Sequence, residues 1–296
     1  MTFELPKMRT ADVDGPVAYR EWAGPAETTF VLVHGLGGSH LNWVQVAQGL
    51  SGLGRILALD IPGFGYSPRH GRGSGLMDER RVLSRFIEAH ASGRVVLAGN
   101  SMGCVIGIMQ AAIEPDRVAG LVLTGSPFPS VHGSWPHPAV IAGFAAYDAP
   151  KLGPAMLESR FRRLDTERAM RLGLRFLVAD PGSISDEIVR LMVDQMRERS
   201  LDPDAPAAFL DAWRSLRRLG RRPDIAQRAM SGVRCPVFVL HGRRDRLVPA
   251  AYAEAALREH PSWRGRIFPE LGHLPQMEAP GRWLAEVADW HAEVLD

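Results

Sequence analysis

A chain of 296 residues, 46% hydrophobic and 23% charged, is long enough to bury a large core, and its net charge of +2 supplies no strong pull toward nucleic acid or an anionic membrane. The two cysteines, Cys104 and Cys235, lie far apart with no CxxC or Cys/His cluster, which excludes a zinc ribbon or a disulfide scaffold and fits a reducing cytoplasm. No run approaches the roughly 18 apolar residues of a membrane span. Residues 1–14 carry charges and no apolar core, so no secretory signal is expected there.

Taken in chain order, residues 17–22 alternate loosely and predict an early antiparallel strand. Residues 30–33 and 56–59 are continuous apolar runs, as in central strands buried on both faces. Residues 95–99 and 118–123 read the same way. Helical spacing falls between these runs, at 43–50, 77–91 and 102–114. Alternation of strand and helix calls for a parallel sheet with helices on both faces.

The pattern breaks at Ser126. Up to about Ser231 no strand-like run appears, and helical segments are predicted near 138–147, 165–179, 185–199 and 205–219, punctuated by prolines. Ser183 with Asp186 reads as a capping box. Arginines crowd the stretch from Arg160 to Arg222, which we read as solvated helix faces rather than a basic binding patch. The α/β pattern then resumes with a strand at 236–240, a helix at 250–259, a strand at 264–268 and a closing helix at 281–294. The expected organisation is a core of residues 1–125 and 232–296, with residues 126–231 inserted as a helical cap.

The chemistry gathers around Gly99-Asn100-Ser101-Met102-Gly103. This is a Gly-x-Ser-x-Gly motif between a clear strand and a clear helix. A sharp turn there holds the Ser101 hydroxyl at the tip of the sheet, beside the N-terminal dipole of the following helix. Serine needs a base within hydrogen-bond reach, and the base needs a third group to fix its tautomer. His273 follows the last strand and Asp245 follows the one before it. Both therefore fall at the carboxyl edge of the sheet, where ligands gather in open α/β folds. Alone, an aspartate among arginines reads as a surface ion pair and a loop histidine as solvated. Together, in the order Ser, Asp, His, they read as a nucleophile, an orienting acid and a base. The N–H groups of Met102 and Leu36 are candidate oxyanion donors, with Gly35, Gly37 and Gly38 letting the Leu36 loop curl toward Ser101. His34 reads as a structural hydrogen-bonder, Asp60 and Gly63–Gly65 as a rigid turn, and Cys104 as a packed small residue. Trp43 and Phe128 are candidate pocket walls, with a core role equally open.

The motifs HGLGG (34–38), DIPGFGYS (60–67), GNSMG (99–103), HGRRD (241–245) and GHLPQMEAP (272–280) together resemble the α/β-hydrolase superfamily, in its serine hydrolase branch. The resemblance implies an eight-stranded, mostly parallel sheet, a helical cap between strands six and seven, a Ser101–Asp245–His273 triad with an oxyanion hole at Leu36 and Met102, and no cofactor or metal. It also touches the C–C bond hydrolases of meta-ring-cleavage dienones, through Gly-Asn-Ser-Met-Gly. Gly38 stands where those enzymes usually carry proline, and Leu274 where a tryptophan often follows their histidine. Dehalogenase and epoxide hydrolase branches use an aspartate nucleophile, and position 101 is serine. The expectation is therefore a cytoplasmic serine hydrolase of a small to medium apolar carboxylic ester, with no nucleic-acid partner and with monomer and homodimer both open. The alternatives are a dienone C–C hydrolase and, in a different class, a non-catalytic ligand-binding homologue.

Overall fold

Five apolar runs predicted as strands lie buried along nearly their whole length, at the centre of one sheet. A computed structural model describes residues 5–162 and 166–294 of the chain. Its strands are β1 (Arg9–Asp12), β2 (Pro16–Trp22), β3 (Thr28–Val33), β4 (Arg55–Leu59), β5 (Arg94–Asn100), β6 (Gly120–Thr124), β7 (Val237–Gly242) and β8 (Arg264–Phe268). The order across the sheet is β1-β2-β4-β3-β5-β6-β7-β8. β1 and β2 pair antiparallel, β2 joins β4 antiparallel, and every later pairing is parallel. β1 is an addition to the pattern read from the residues, because only Ala11 of its four side chains is buried.

The helices are α1 (Val44–Leu50), α2 (Leu76–His90), α3 (Met102–Ile113), α4 (Pro138–Asp148), α5 (Leu152–Arg162), α6 (Thr166–Leu177), α7 (Asp186–Arg199), α8 (Ala205–Gly220), α9 (Pro223–Ser231), α10 (Ala250–Glu259), α11 (Pro275–Glu278) and α12 (Pro280–Val294). The expected helix start at residue 165 lies outside the described residues, as do the first four residues of the charged N-terminal stretch. No helix among the described residues is long and apolar enough to cross a membrane.

Alternate residues of the central strands face opposite sides of the sheet, so two apolar layers form. Val31, Val33, Leu97 and Leu121 face α2 and α3, meeting Leu83, Phe86 and Ile106. Phe30, Leu32, Val96 and Phe238 face the other way, toward α1 and α12, and pack with Trp43, Trp283 and Trp290. The second layer also takes in Ile188, Val189 and Val193 of α7.

Six helices, α4 to α9, lie in the chain between β6 and β7. They are stitched to the loops of the sheet's carboxyl edge. The Ser215 hydroxyl of α8 accepts the Leu76 N–H at 3.1 Å. Asp211 pairs with Arg69, and Arg199 of α7 donates to the Gly63 carbonyl with its guanidinium 4.6 Å above the Phe64 ring. Several arginines of the arginine-rich stretch form exposed ion pairs: Arg171 with Glu167 and Asp186, Arg197 with Asp194, Arg222 with Asp224. The expected Ser183 capping box is corrected. α7 is capped by Ser185, whose extended backbone lets its hydroxyl accept the Ile188 N–H at 3.3 Å, while Ser183 donates back to the Asp180 carbonyl.

Candidate active site

Ser101 sits between β5 and α3 with φ +53° and ψ −114°, a backbone conformation that costs on the order of 1–3 kcal/mol and persists only where the surroundings enforce it. The enforcement is visible. Ser101 N–H donates to the Thr124 carbonyl at 2.9 Å, and the Ser101 carbonyl accepts the Cys104 N–H at 3.0 Å. Backbone approaches too closely on either side for any side chain. A Cβ on Gly99 would lie 2.5 Å from the Cys104 nitrogen, and one on Gly103 would lie 2.2 Å from the Val33 carbonyl oxygen. The two motif glycines are thus a packing requirement of the turn.

His273 and Asp245 come together at the same edge, nearly buried. His273 Nδ1 lies 2.6 Å from Asp245 Oδ2. An ionised carboxylate only accepts, so Nδ1 carries the proton and Nε2 keeps its lone pair. The other carboxylate oxygen, Oδ1, accepts the Leu247 and Val248 N–H groups at 2.8 and 2.9 Å. Burial pushes the Asp245 carboxyl up, but the facing His273 and His241 outweigh it and hold it below the ordinary carboxylate range. Asp245 is therefore an interior group and not the surface ion pair its arginine neighbours suggested.

Ser101 is tied to this pair through its neighbours. The Asn100 amide donates to the Thr124 carbonyl at 3.1 Å and reaches the His273 carbonyl at 3.4 Å. A Cβ on Gly125, where φ is +61°, would lie 3.1 Å from His273 Nδ1, so the end of β6 is stripped bare to seat the imidazole.

The Leu36 loop lies against the serine. A Cβ on Gly35 would stand 3.1 Å from Ser101 Cβ. Leu36 is half-buried, Gly37 keeps exposed surface, and Ser101 is itself partly accessible. Met102 leads α3, where no preceding turn offers its N–H a carbonyl. Leu36 thus follows a glycine packed against Ser101, and Met102 follows Ser101 directly in the chain. His34 is structural: its Nδ1 meets the Gly35 carbonyl at 2.8 Å and its Nε2 accepts the Ile61 N–H at 3.1 Å. Asp60 accepts N–H groups from His40 and Tyr66 inside a closed turn. Cys104 donates to the Gly99 carbonyl, and burial pushes its thiol up to about 12.

Trp43 and Phe128, for which pocket and core roles were equally open, take different places. Trp43 is fully buried, 5.9 Å from the Trp283 ring, on the face of the sheet packed by α1 and α12. Phe128 lines a cleft of about 470 Å³ with Met230 and Tyr252, between α9, α10 and the start of the insertion, and neither Ser101, Asp245 nor His273 borders that cleft. An aromatic beside the Leu36 loop is Phe209 of α8, whose ring would be 3.2 Å from a Cβ on Gly37, with Tyr147 packed edge-on against it at 5.2 Å. His241 was also missed. Its Nε2–H reaches the Val248 carbonyl at 2.9 Å and Asp245 Oδ2 at 3.3 Å. The available signal was its spacing of four residues from Asp245 at the end of a buried strand.

The family model for the alpha/beta hydrolase fold matches residues 28–280, and the chain belongs to that family. Over 269 residues it is 28% identical to a dihydrolipoyllysine-residue acetyltransferase component of an acetoin cleaving system from Cupriavidus necator, covering 90% of this chain and 64% of that protein. The chain thus spans just under two thirds of the length of that relative. Over 264 residues it is 28% identical to a 2-hydroxy-6-oxononadienedioate/2-hydroxy-6-oxononatrienedioate hydrolase from Cupriavidus pinatubonensis, covering 86% of this chain and 83% of that one. Among solved structures, the meta-cleavage product hydrolase CumD matches with a TM-score of 0.74 and 21% identity over 99% of this chain and 100% of its own, a likeness of fold.

Proposed function

We propose that the protein is a serine hydrolase that cleaves a carboxylic ester, or a related acyl bond, of a small to medium apolar substrate. The observation that carries this reading is the 2.6 Å contact of His273 Nδ1 with Asp245 Oδ2, at the same sheet edge as a strained Ser101. His273 Nε2 takes the Ser101 hydroxyl proton as the oxygen attacks the carbonyl carbon. The N–H groups of Leu36 and Met102 meet the oxyanion. Asp245 stays ionised and stabilises the imidazolium. His273 then protonates the leaving alcohol, and a water deprotonated by the same imidazole releases the acid. Residues 126–231 act as a cap that sets substrate choice, with Phe209 and Tyr147 as its wall near the oxyanion loop.

The test is hydrolysis of p-nitrophenyl esters from acetate to laurate by the wild type and by Ser101→Ala. Turnover that falls by roughly 10⁴-fold or more in the variant supports the nucleophile. Equal turnover in both proteins would remove Ser101 from the mechanism. A second reading, C–C cleavage of a ring-fission dienone, is favoured by the 28% identity to the oxononadienedioate hydrolase. Bleaching of a yellow dienone by a protein inert on every ester would select it.

A further inference from the structure

The loop that carries His273 is held by the inserted helices as well as by the sheet. His273 N–H donates to the Leu177 carbonyl at 2.7 Å. On either side of it, Gly272 N–H lies 2.9 Å from Glu278 Oε1 and 3.1 Å from Oε2, and Leu274 N–H lies 3.4 Å from Oε1. The same carboxylate reaches across to the insertion, where its Oε2 accepts the Ala179 N–H at 2.7 Å. The contact is close enough to require glycine: a Cβ on Gly272 would stand 2.7 Å from the Ala179 nitrogen and 2.9 Å from the Leu177 carbonyl oxygen. The neighbouring loop is tied to the same segment. Arg246, next to Asp245, donates to the carbonyls of Arg175 and Val178.

We propose that Glu278 and the segment Leu177–Ala179 form a clamp that positions His273, so that Glu278 is a positioning residue of the acid–base pair and this end of the insertion is a fixed part of the site. The role in turnover rests on the hydrolase reading above. The hydrogen-bond partners of Glu278 are donors, which offset in part the burial and the nearby Asp245 charge that raise its carboxyl above the ordinary range. All three of its partners are backbone N–H groups from two separate stretches of chain, and an ionised carboxylate can serve them together. An amide in its place would turn an NH₂ toward one or more of them. The His273 loop would then relax away from Leu177, and the imidazole would leave its line with Asp245. A displacement of about 1 Å costs on the order of 10² in rate where reacting groups must be aligned. Substrate contacts are untouched, so the loss falls on kcat.

The experiment compares the wild type, Glu278→Gln and Gly272→Ala. The first variant breaks the clamp by charge and the second by pushing the two backbones apart. Steady-state kinetics are measured on the best p-nitrophenyl ester, together with hydrogen–deuterium exchange over residues 272–278. The expected result is a fall in kcat of about tenfold or more with KM within about twofold, and faster exchange at 272–274. Folded variants with wild-type kcat and wild-type exchange would overturn the clamp. Should either variant fail to fold, the wild type decides: amides at 272–274 exchanging as slowly as those of β7 support the clamp, and rapid exchange there overturns it. The exchange arm needs no substrate, so a wild type inert on esters would sink the ester reading and leave the clamp decided by exchange.

Discussion

His34 sets a limit on how acidic a medium the fold tolerates. It is fully buried with both ring nitrogens engaged, and burial pushes its pKa down from 6.5 to about 4. Nε2 accepts the Ile61 N–H, so protonation would face one donor with another. In the unfolded chain the imidazole takes a proton near its ordinary value, while the folded chain refuses it until about pH 4. Stability is thus complete above the unfolded value and falls as pH drops between the two, by on the order of 3 kcal/mol. Urea midpoints measured from pH 7 to 4 should fall for the wild type and fall less steeply for His34→Asn. Parallel curves would show that another group carries the acid sensitivity. Glu79 works in the opposite direction. It is fully buried in α2, and neither carboxyl oxygen has a hydrogen-bond partner among the described residues. Burial raises its carboxyl well above the ordinary range, with Arg72 a partial offset. A carboxylic acid that holds its proton in the folded state loses stability as pH rises past the unfolded value. Glu79→Gln should therefore melt higher than the wild type, by a margin that grows with pH until the folded group ionises. A constant margin would contradict this.

Among the elements, α8 is the one that bears on selectivity in the proposed reading. Its buried residues Ala205, Ala208, Phe209 and Ala212 follow helical spacing, which is why residues 205–219 were legible as a helix and match Ala205–Gly220 closely. What the pattern did not say was which loops that face meets. Ala208 presses on Gly63, where an added Cβ would come within 2.4 Å, and Phe209 covers Gly37. Phe209→Ala should open space beside the oxyanion loop, raising kcat/KM for long acyl chains relative to acetate by about tenfold and lowering stability by about 3–5 kcal/mol. An unchanged chain-length profile in a folded variant would remove Phe209 from the pocket. Elements without a buried periodic face escaped the reading altogether. β1 turns one side chain inward, α9 buries only Met230, and α11 is four residues long. The long parallel strands were legible because burial on both faces leaves an unbroken apolar run.

For the molecule as a whole, the candidate site was legible where local grammar and topology coincide. Ser101 and Asp245 follow buried strands and His273 follows the parallel edge strand β8, all at one edge of the sheet, and that edge is dictated by parallel pairing. Groups recruited from elsewhere were not legible. Glu278 bonds to Ala179 and Phe209 meets Gly37 across long stretches of chain, and neither leaves a mark in local spacing. Trp43 and Phe128 stayed open between core and pocket because nearness in sequence to a site loop does not tell which face of the sheet a side chain takes.

The position of the insertion also dictates the timetable of assembly. Leu121 of β6 pairs with Val237 of β7, so the two strands meet only after α4 to α9 have been made. During synthesis the elbow around Ser101 has its strand and helix before the insertion is made, whereas Asp245 and His273 follow only after it. On the hydrolase reading proposed above, a ribosome-bound chain carries a serine with no base. The triad is then complete only when β7 and β8 dock against β6, closing a loop whose length slows that step.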